Sequence, residues 1–107
     1  MSPLNSVILE GVVSARVKAL SSDEATFTVT NHRYYKVGEE DADEETFIHV
    51  ILHGQGFDVL TPKISEGRGV RIIGRLCNRE GNLSLFCEHL EFKPNVTKIG
   101  KYNFKRD

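Results

Sequence analysis

Thr46-Phe47-Ile48-His49-Val50-Ile51-Leu52-His53 carries the decisive pattern of this 107-residue chain. The run is rich in β-branched and aromatic side chains and is closed by Gly54-Gln55-Gly56, which marks a strand ending in a turn. Successive side chains point to opposite faces of a strand, so Phe47, His49, Ile51 and His53 share one face. Working upstream, Thr26-Phe27-Thr28-Val29-Thr30-Asn31 alternates with the same period and runs on into His32-Arg33-Tyr34-Tyr35. Ahead of it, Val7-Ile8-Leu9-Glu10-Gly11-Val12-Val13 is a β-branched run with a glycine in its middle, as in strands that bulge or coil sharply. Downstream, Gly69–Leu76 and Leu83–Phe92 form two more strands, joined by a hairpin turn at Glu80-Gly81-Asn82. A two-residue turn at Gly81-Asn82 pairs Cys77 with Phe86. The only helical candidate is Phe57–Glu66, with Phe57, Leu60 and Ile64 at helical spacing. Pro62 interrupts it, and Thr61-Pro62 reads as a cap with proline at the first helical position. One short helix, stopped at Gly67, is expected.

Three strands, a short helix and two strands is the order of the OB-fold, which commonly binds oligonucleotides on its strand 2–3 face. Other small β-barrels and sandwiches share that order. The expected fold is all-β: a five-stranded Greek-key OB barrel with one short helix between strands 3 and 4. The barrel domain spans residues 1–93. Residues 94–107 form a basic tail, whose Lys98, Lys101, Lys105 and Arg106 outnumber Asp107.

Composition agrees with one folded domain: 39% of residues are hydrophobic and 27% charged. No run approaches the roughly 18 apolar residues of a membrane span. Met1-Ser2-Pro3-Leu4-Asn5-Ser6 lacks the basic start and apolar stretch of a secretory signal, so a cytoplasmic location is expected. Cys77 and Cys87 fall on opposite faces of their hairpin and read as buried thiols rather than a disulfide framework. The net charge of −1 conceals an asymmetry. Glu39-Glu40-Asp41-Ala42-Asp43-Glu44-Glu45 holds six of the 15 acidic side chains, and without them the balance is +5. This run reads as a solvated loop, a gate that repels phosphates, or a docking patch for a basic partner.

Several segments resemble bacterial single-stranded DNA-binding proteins. Asn5-Ser6-Val7-Ile8-Leu9-Glu10-Gly11 is similar to the N-x-[V/I]-x-L-x-G strand that opens their barrel. Glu45–Gly54 resembles their third strand, Glu66–Leu76 their K-G-x-x-V-x-[V/I]-x-G-x-L strand, and Cys87–Phe92 their last strand. The likeness covers residues 4–93. It implies sequence-nonspecific, non-catalytic binding of single-stranded DNA in replication, recombination and repair. It also implies a nucleoid-associated homo-oligomer, dimer or tetramer, with replication or repair proteins as partners. By position in that family, Tyr35 (with Tyr34 beside it), Phe47 and His53 take the places of base-stacking aromatics. Stacking on such side chains is sequence-tolerant because every base has a π-face.

Tyr34 and Tyr35 adjoin on one strand, so one faces the track while the other faces the core or the barrel exterior. Phe47 has a competing reading as a core residue. Arg33, Lys36, Arg71, Arg75 and Arg79, with Arg16 and Lys18 in the first loop, are candidate phosphate contacts. The chain departs from the family pattern in three ways: no tryptophan, a short hairpin around Gly81, and a basic tail where the family carries an acidic one.

No cofactor and no metal site are expected. His49 and His53 share a face, but no CxxC or HExxH pattern completes a zinc set. No G-x-S-x-G elbow supports a hydrolase. Two alternatives remain beside the main reading. One is a tail-less primosomal single-strand-binding protein that assists helicase loading. The other is an OB module that binds protein through the acidic segment.

Overall fold

In the computed structural model, which describes residues 3–54 and 60–93, five long strands close into one barrel. They are β1 (Val7–Ala19), β2 (Glu24–Val37), β3 (Glu40–His53), β4 (Gly69–Arg79) and β5 (Asn82–Phe92). Their order around the barrel is β1-β2-β3-β5-β4, with β4 returning to β1. Among the described residues only the β3–β5 pair is parallel, setting Val50 opposite Leu85 and Ile51 opposite Phe86. This is the OB topology that the strand order predicts.

Alternation fills the barrel. Ala25, Phe27 and Val29 of β2 turn inward, with Val50 and Leu52 of β3, Val70 and Ile72 of β4, Leu85 of β5 and Val13 of β1. Ile64, from the connection between β3 and β4, closes the set. Removing such side chains from water contributes about 1.5–3 kcal/mol each, which makes this core the main source of stability.

β1 serves two neighbours. Its first half pairs with β4 and its second half with β2. Gly11 lies at the changeover, where a Cβ would overlap the Thr30 carbonyl oxygen. Asn5 extends the β1–β4 ladder with its side chain: Nδ2 donates to the Leu76 carbonyl at 2.9 Å, and Oδ1 accepts from the Leu76 amide at 2.9 Å. That bond pair gives the asparagine of the opening motif a structural role.

The expected helix is reduced, within the described residues, to a 3-10 turn at Thr61–Lys63; positions 57–59 lie outside them. Beyond Pro62 the backbone is claimed by β1. The Gly67 amide donates to Val13 O, and the Val13 amide donates to Arg68 O. Bonds to a neighbouring strand displace the helical ladder. The β4–β5 turn is Glu80-Gly81, both at positive φ, between the paired residues Arg79 and Asn82. Cys77 therefore faces Ser84 rather than Phe86. The cysteines are free and half-buried, and burial pushes the Cys87 thiol up to about 11.

The acidic run is not a loop. Glu39 sits in a tight turn with Gly38, and Glu40–Glu45 are the first residues of β3. They pair with β2 in strict register: Glu45 with His32, Glu44 with Arg33, and Asp41 with Lys36. Acidic residues are poor strand formers in general. Here Glu44 and Asp41 each have a cation directly opposite, which stabilises cross-strand pairs, and Glu45 has the His32 imidazole 3.1 Å away. The basic tail of residues 94–107 lies outside the described residues.

The β4–β5 hairpin depends on Gly74. A Cβ there would overlap the Phe86 carbonyl oxygen at the register shift between Ile73 and Gly74. Gly74→Ala is expected to lower unfolding free energy by about 3 kcal/mol, the upper end for overpacking, measured by urea titration. An unchanged midpoint would show that the two strands do not approach this closely.

Candidate nucleic-acid interface

β2 and β3 pair without a bulge from Glu24 opposite His53 to Val37 opposite Glu40. Directly opposed residues share a face. With Phe27 and Val29 inward, the outward face carries Thr26, Thr28, Thr30, His32 and Tyr34 of β2. From β3 it carries Phe47, His49, Ile51 and His53, as the alternation predicts. Phe86 joins this face through its pairing with Ile51, and Arg75 through its pairing with Phe86.

The rings along this face form a broken aromatic run. His32 and Tyr34 stack with centroids 5.3 Å apart and planes 15° from parallel. Tyr34 is 74% exposed and Phe47 61%, so Phe47 is not a core residue. His53 lies 6.0 Å from the Phe86 ring, and the Arg75 guanidinium lies 4.7 Å above that ring. Ile51 is only 4% exposed although it points outward, and it provides an apolar floor between His49 and His53. Solvated aromatic faces beside a buried apolar floor suit stacking of flat, uncharged rings.

The other candidates divide. Tyr35, not Tyr34, lies off this face: it opposes Ala42 on the reverse side of the ribbon, with the Arg33 guanidinium 4.3 Å above its ring. Strand parity thus overrides the position taken from the family resemblance. Lys36 lies on Tyr34's side near the ribbon tip. Lys18 opposes Thr26, at the edge of the outward face, whereas Arg16 lines a shallow pocket beside the 3-10 turn with Pro62 and Glu66. Both belong to β1 rather than to a loop. Arg71 sits opposite Glu10 on the β1–β4 seam, away from the aromatic run.

Most candidate cations are held by carboxylates. Lys36 meets Asp41 at 2.9 Å, Arg33 meets Glu44 at 3.5 Å, and Arg75 meets Glu88 at 3.6 Å. Glu10 is bound by Arg71 at 2.6 Å and by Lys93 at 3.0 Å. Arg79 grips Glu24 with two bonds, Nη1 to Oε1 at 2.9 Å and Nη2 to Oε2 at 2.6 Å. Lys93 and Arg71 together hold the Glu10 carboxyl below the usual range, and Arg79 does the same to Glu24.

His32 and Phe86 belong to this face and are absent from the sequence-predicted site. A signal for Phe86 exists in the sequence. It occupies the same parity as Ser84 and Glu88, an aromatic among polar positions of an alternating strand. His32 shares the parity of Tyr34.

No protein-family model matches the chain, and no curated protein does. Solved structures do. The chain is similar to the SSB of Plasmodium falciparum in complex with ssDNA, with a TM-score of 0.72 and 20% identity over 88% of this chain and 98% of that one. A small single-stranded DNA-binding protein from Streptomyces coelicolor gives 0.68 and 17% identity, over 86% of this chain and 95% of that one. The protein PriB from Ralstonia solanacearum gives 0.65 and 16%, over 84% and 98%. At these identities the likeness establishes a shared OB barrel.

The depressed carboxyls make stability pH-dependent. A group whose folded pKa lies below its ordinary value of 4.5 stabilises the fold above that value and ceases to as pH falls through the folded one. The thermal midpoint is therefore expected to stay level from about pH 7 to about pH 5 and to fall below about 4.5. Glu24→Gln should flatten part of that acid limb, as followed by circular dichroism. An identical acid limb in the variant would remove Glu24 from this linkage.

Proposed function

We propose that the protein binds single-stranded DNA without sequence preference and without catalysis, in replication, recombination and repair. The observation that carries this reading is the exposure of Tyr34 and Phe47 on one face of an OB barrel, continued by His49, His53 and Phe86. The similar Plasmodium structure is a complex with ssDNA, and the Streptomyces protein is described as single-stranded DNA-binding. Bases stack along the aromatic run, and Lys18, Lys36 and Arg75 meet the backbone at its margins. Stacking supplies affinity and no base code, because each nucleobase presents a π-face. The strand enters as extended single-stranded polymer, since paired bases could not lie on these rings.

A homo-oligomer is part of the same reading. Ile8, on the outward side of β1 opposite Ile73, is 70% exposed, an apolar side chain suited to cover by a second copy. Light scattering of the free protein measures this directly, and a monomer mass would remove it.

The decisive experiment is a fluorescence titration with oligothymidylate. Replacing Tyr34 and Phe47 with alanine is expected to cost about 2–6 kcal/mol of binding, the sum for two stacked bases. Tyr35→Ala should cost far less, because its ring lies on the other side of the ribbon. Equal losses for Tyr34→Ala and Tyr35→Ala in folded proteins would mean that the strand does not follow the outward face.

A further inference from the structure

Arg79 and Glu24 stand apart from the other ion pairs. Two parallel bonds join the whole guanidinium fork to the whole carboxylate. Their side chains are 37% and 19% exposed, whereas Lys36 and Asp41 are 67% and 88% exposed. Exposed single-bond pairs contribute little and exchange readily; a sheltered bidentate pair does not. The pair also has a telling position. Glu24 opens β2 opposite His53, and Arg79 closes β4, so the bridge spans the end of the aromatic run.

We propose that Glu24 is an internal competitor of the nucleic-acid backbone: its carboxylate occupies the Arg79 fork and keeps a phosphodiester from binding there. This rests on the outward face being the single-strand site. The chemistry of competition is direct. A guanidinium fork accepts a carboxylate and a phosphate in the same bidentate geometry, so the two anions exclude each other. A phosphate that displaced Glu24 would exchange one anion for another and release no extra cation from the site. Arg79 thus adds nothing to affinity while Glu24 holds it, and the chain binds more weakly than its cation count implies. The depressed carboxyl of Glu24 keeps the competitor charged across neutral and mildly acidic pH. His53 lies directly opposite Glu24 across the β2–β3 pair.

The test is a titration of fluorescent oligothymidylate against the full chain at 0.05 M and 0.2 M salt (about these values), with folding followed by circular dichroism. One added phosphate contact at a slope of about −0.7 corresponds to roughly eightfold tighter binding at the lower salt and roughly threefold at the higher. Glu24→Gln is expected to show those gains. The double variant Glu24→Gln, Arg79→Gln should lose them. Glu80→Gln removes the same charge beside Arg79 in an exposed turn and should change affinity less than about twofold, since a solvent-screened charge that does not occupy the fork acts weakly. Should Glu24→Gln not fold, Arg79→Lys keeps the charge without the two-bond hold and should itself bind more tightly. The proposal fails if Glu24→Gln binds as the parent does, if its gain survives in the double variant, or if Glu80→Gln matches it. Binding that is lost in Phe47→Ala yet unmoved by Glu24→Gln would overturn this proposal and leave the single-strand reading standing. No binding by the parent or by any variant would overturn both.

Discussion

The uninterrupted antiparallel register between the two 14-residue strands β2 and β3 governs the rest of the molecule. In a sheet, shifting one strand by one residue turns every side chain to the opposite face. Here the register is pinned at the barrel end by Phe27, Val29, Val50 and Leu52, which are buried and would be exposed at a cost by any slip. It is then propagated to the far tip, where almost nothing is buried. Tyr34 lies on the same side as Phe47 because Phe27 lies inside.

Beyond Thr30 no third strand joins the ribbon among the described residues, and two strands alone are marginal in water. Its cohesion comes from the charge mirror about Gly38 and Glu39, where His32, Arg33 and Lys36 meet Glu45, Glu44 and Asp41. Each such pair contributes roughly 0.2–1 kcal/mol as a cross-strand contact. The Asn31 amide adds an anchor at the base by donating to the Glu10 carbonyl at 2.8 Å. Three of the six acids, Asp41, Glu44 and Glu45, are therefore structural partners of the residues opposite them, whereas Glu40 and Asp43 oppose Val37 and Tyr34. A free acidic gate would leave those bases unanswered.

The parts of this arrangement that are local in sequence are legible there. The period of β3 places Phe47 and His53 together, and the strand order anticipates the barrel. The charge mirror is also present, but single-residue strand preferences argue against five acids at the start of a strand, and only the opposing register outweighs those preferences. Tyr34 and Tyr35 are both candidates by position in the resembling family, and parity with Phe27 puts Tyr34 on the face of Phe47 and Tyr35 on the reverse side. The pairing of Arg79 with Glu24 is not legible at all. The two residues are 55 apart in the chain, at the end of β4 and the start of β2, and meet only through the closure of the barrel. Neighbours created by closure leave no local signature.

These contacts set the relative weight of the two binding terms. A nucleic-acid site rich in free cations gains affinity mainly by releasing condensed counterions, and it loses that affinity steeply as salt rises. On this barrel, the outward-face cations Lys36, Arg75 and Arg79 already have protein carboxylates as counterions. Exchanging a carboxylate for a phosphate gains less than exchanging solvent for one. The exposed rings face no such competitor: among the described residues, nothing covers most of Tyr34 or Phe47. The physical balance therefore tilts toward base stacking, which requires unpaired, accessible bases, and away from the backbone charge that duplex and single strand share. On the proposed reading, a barrel whose outward-face cations Lys36, Arg75 and Arg79 are paired with its own carboxylates and whose aromatic faces are open would favour single strands over duplex, because only unpaired bases can lie on the rings.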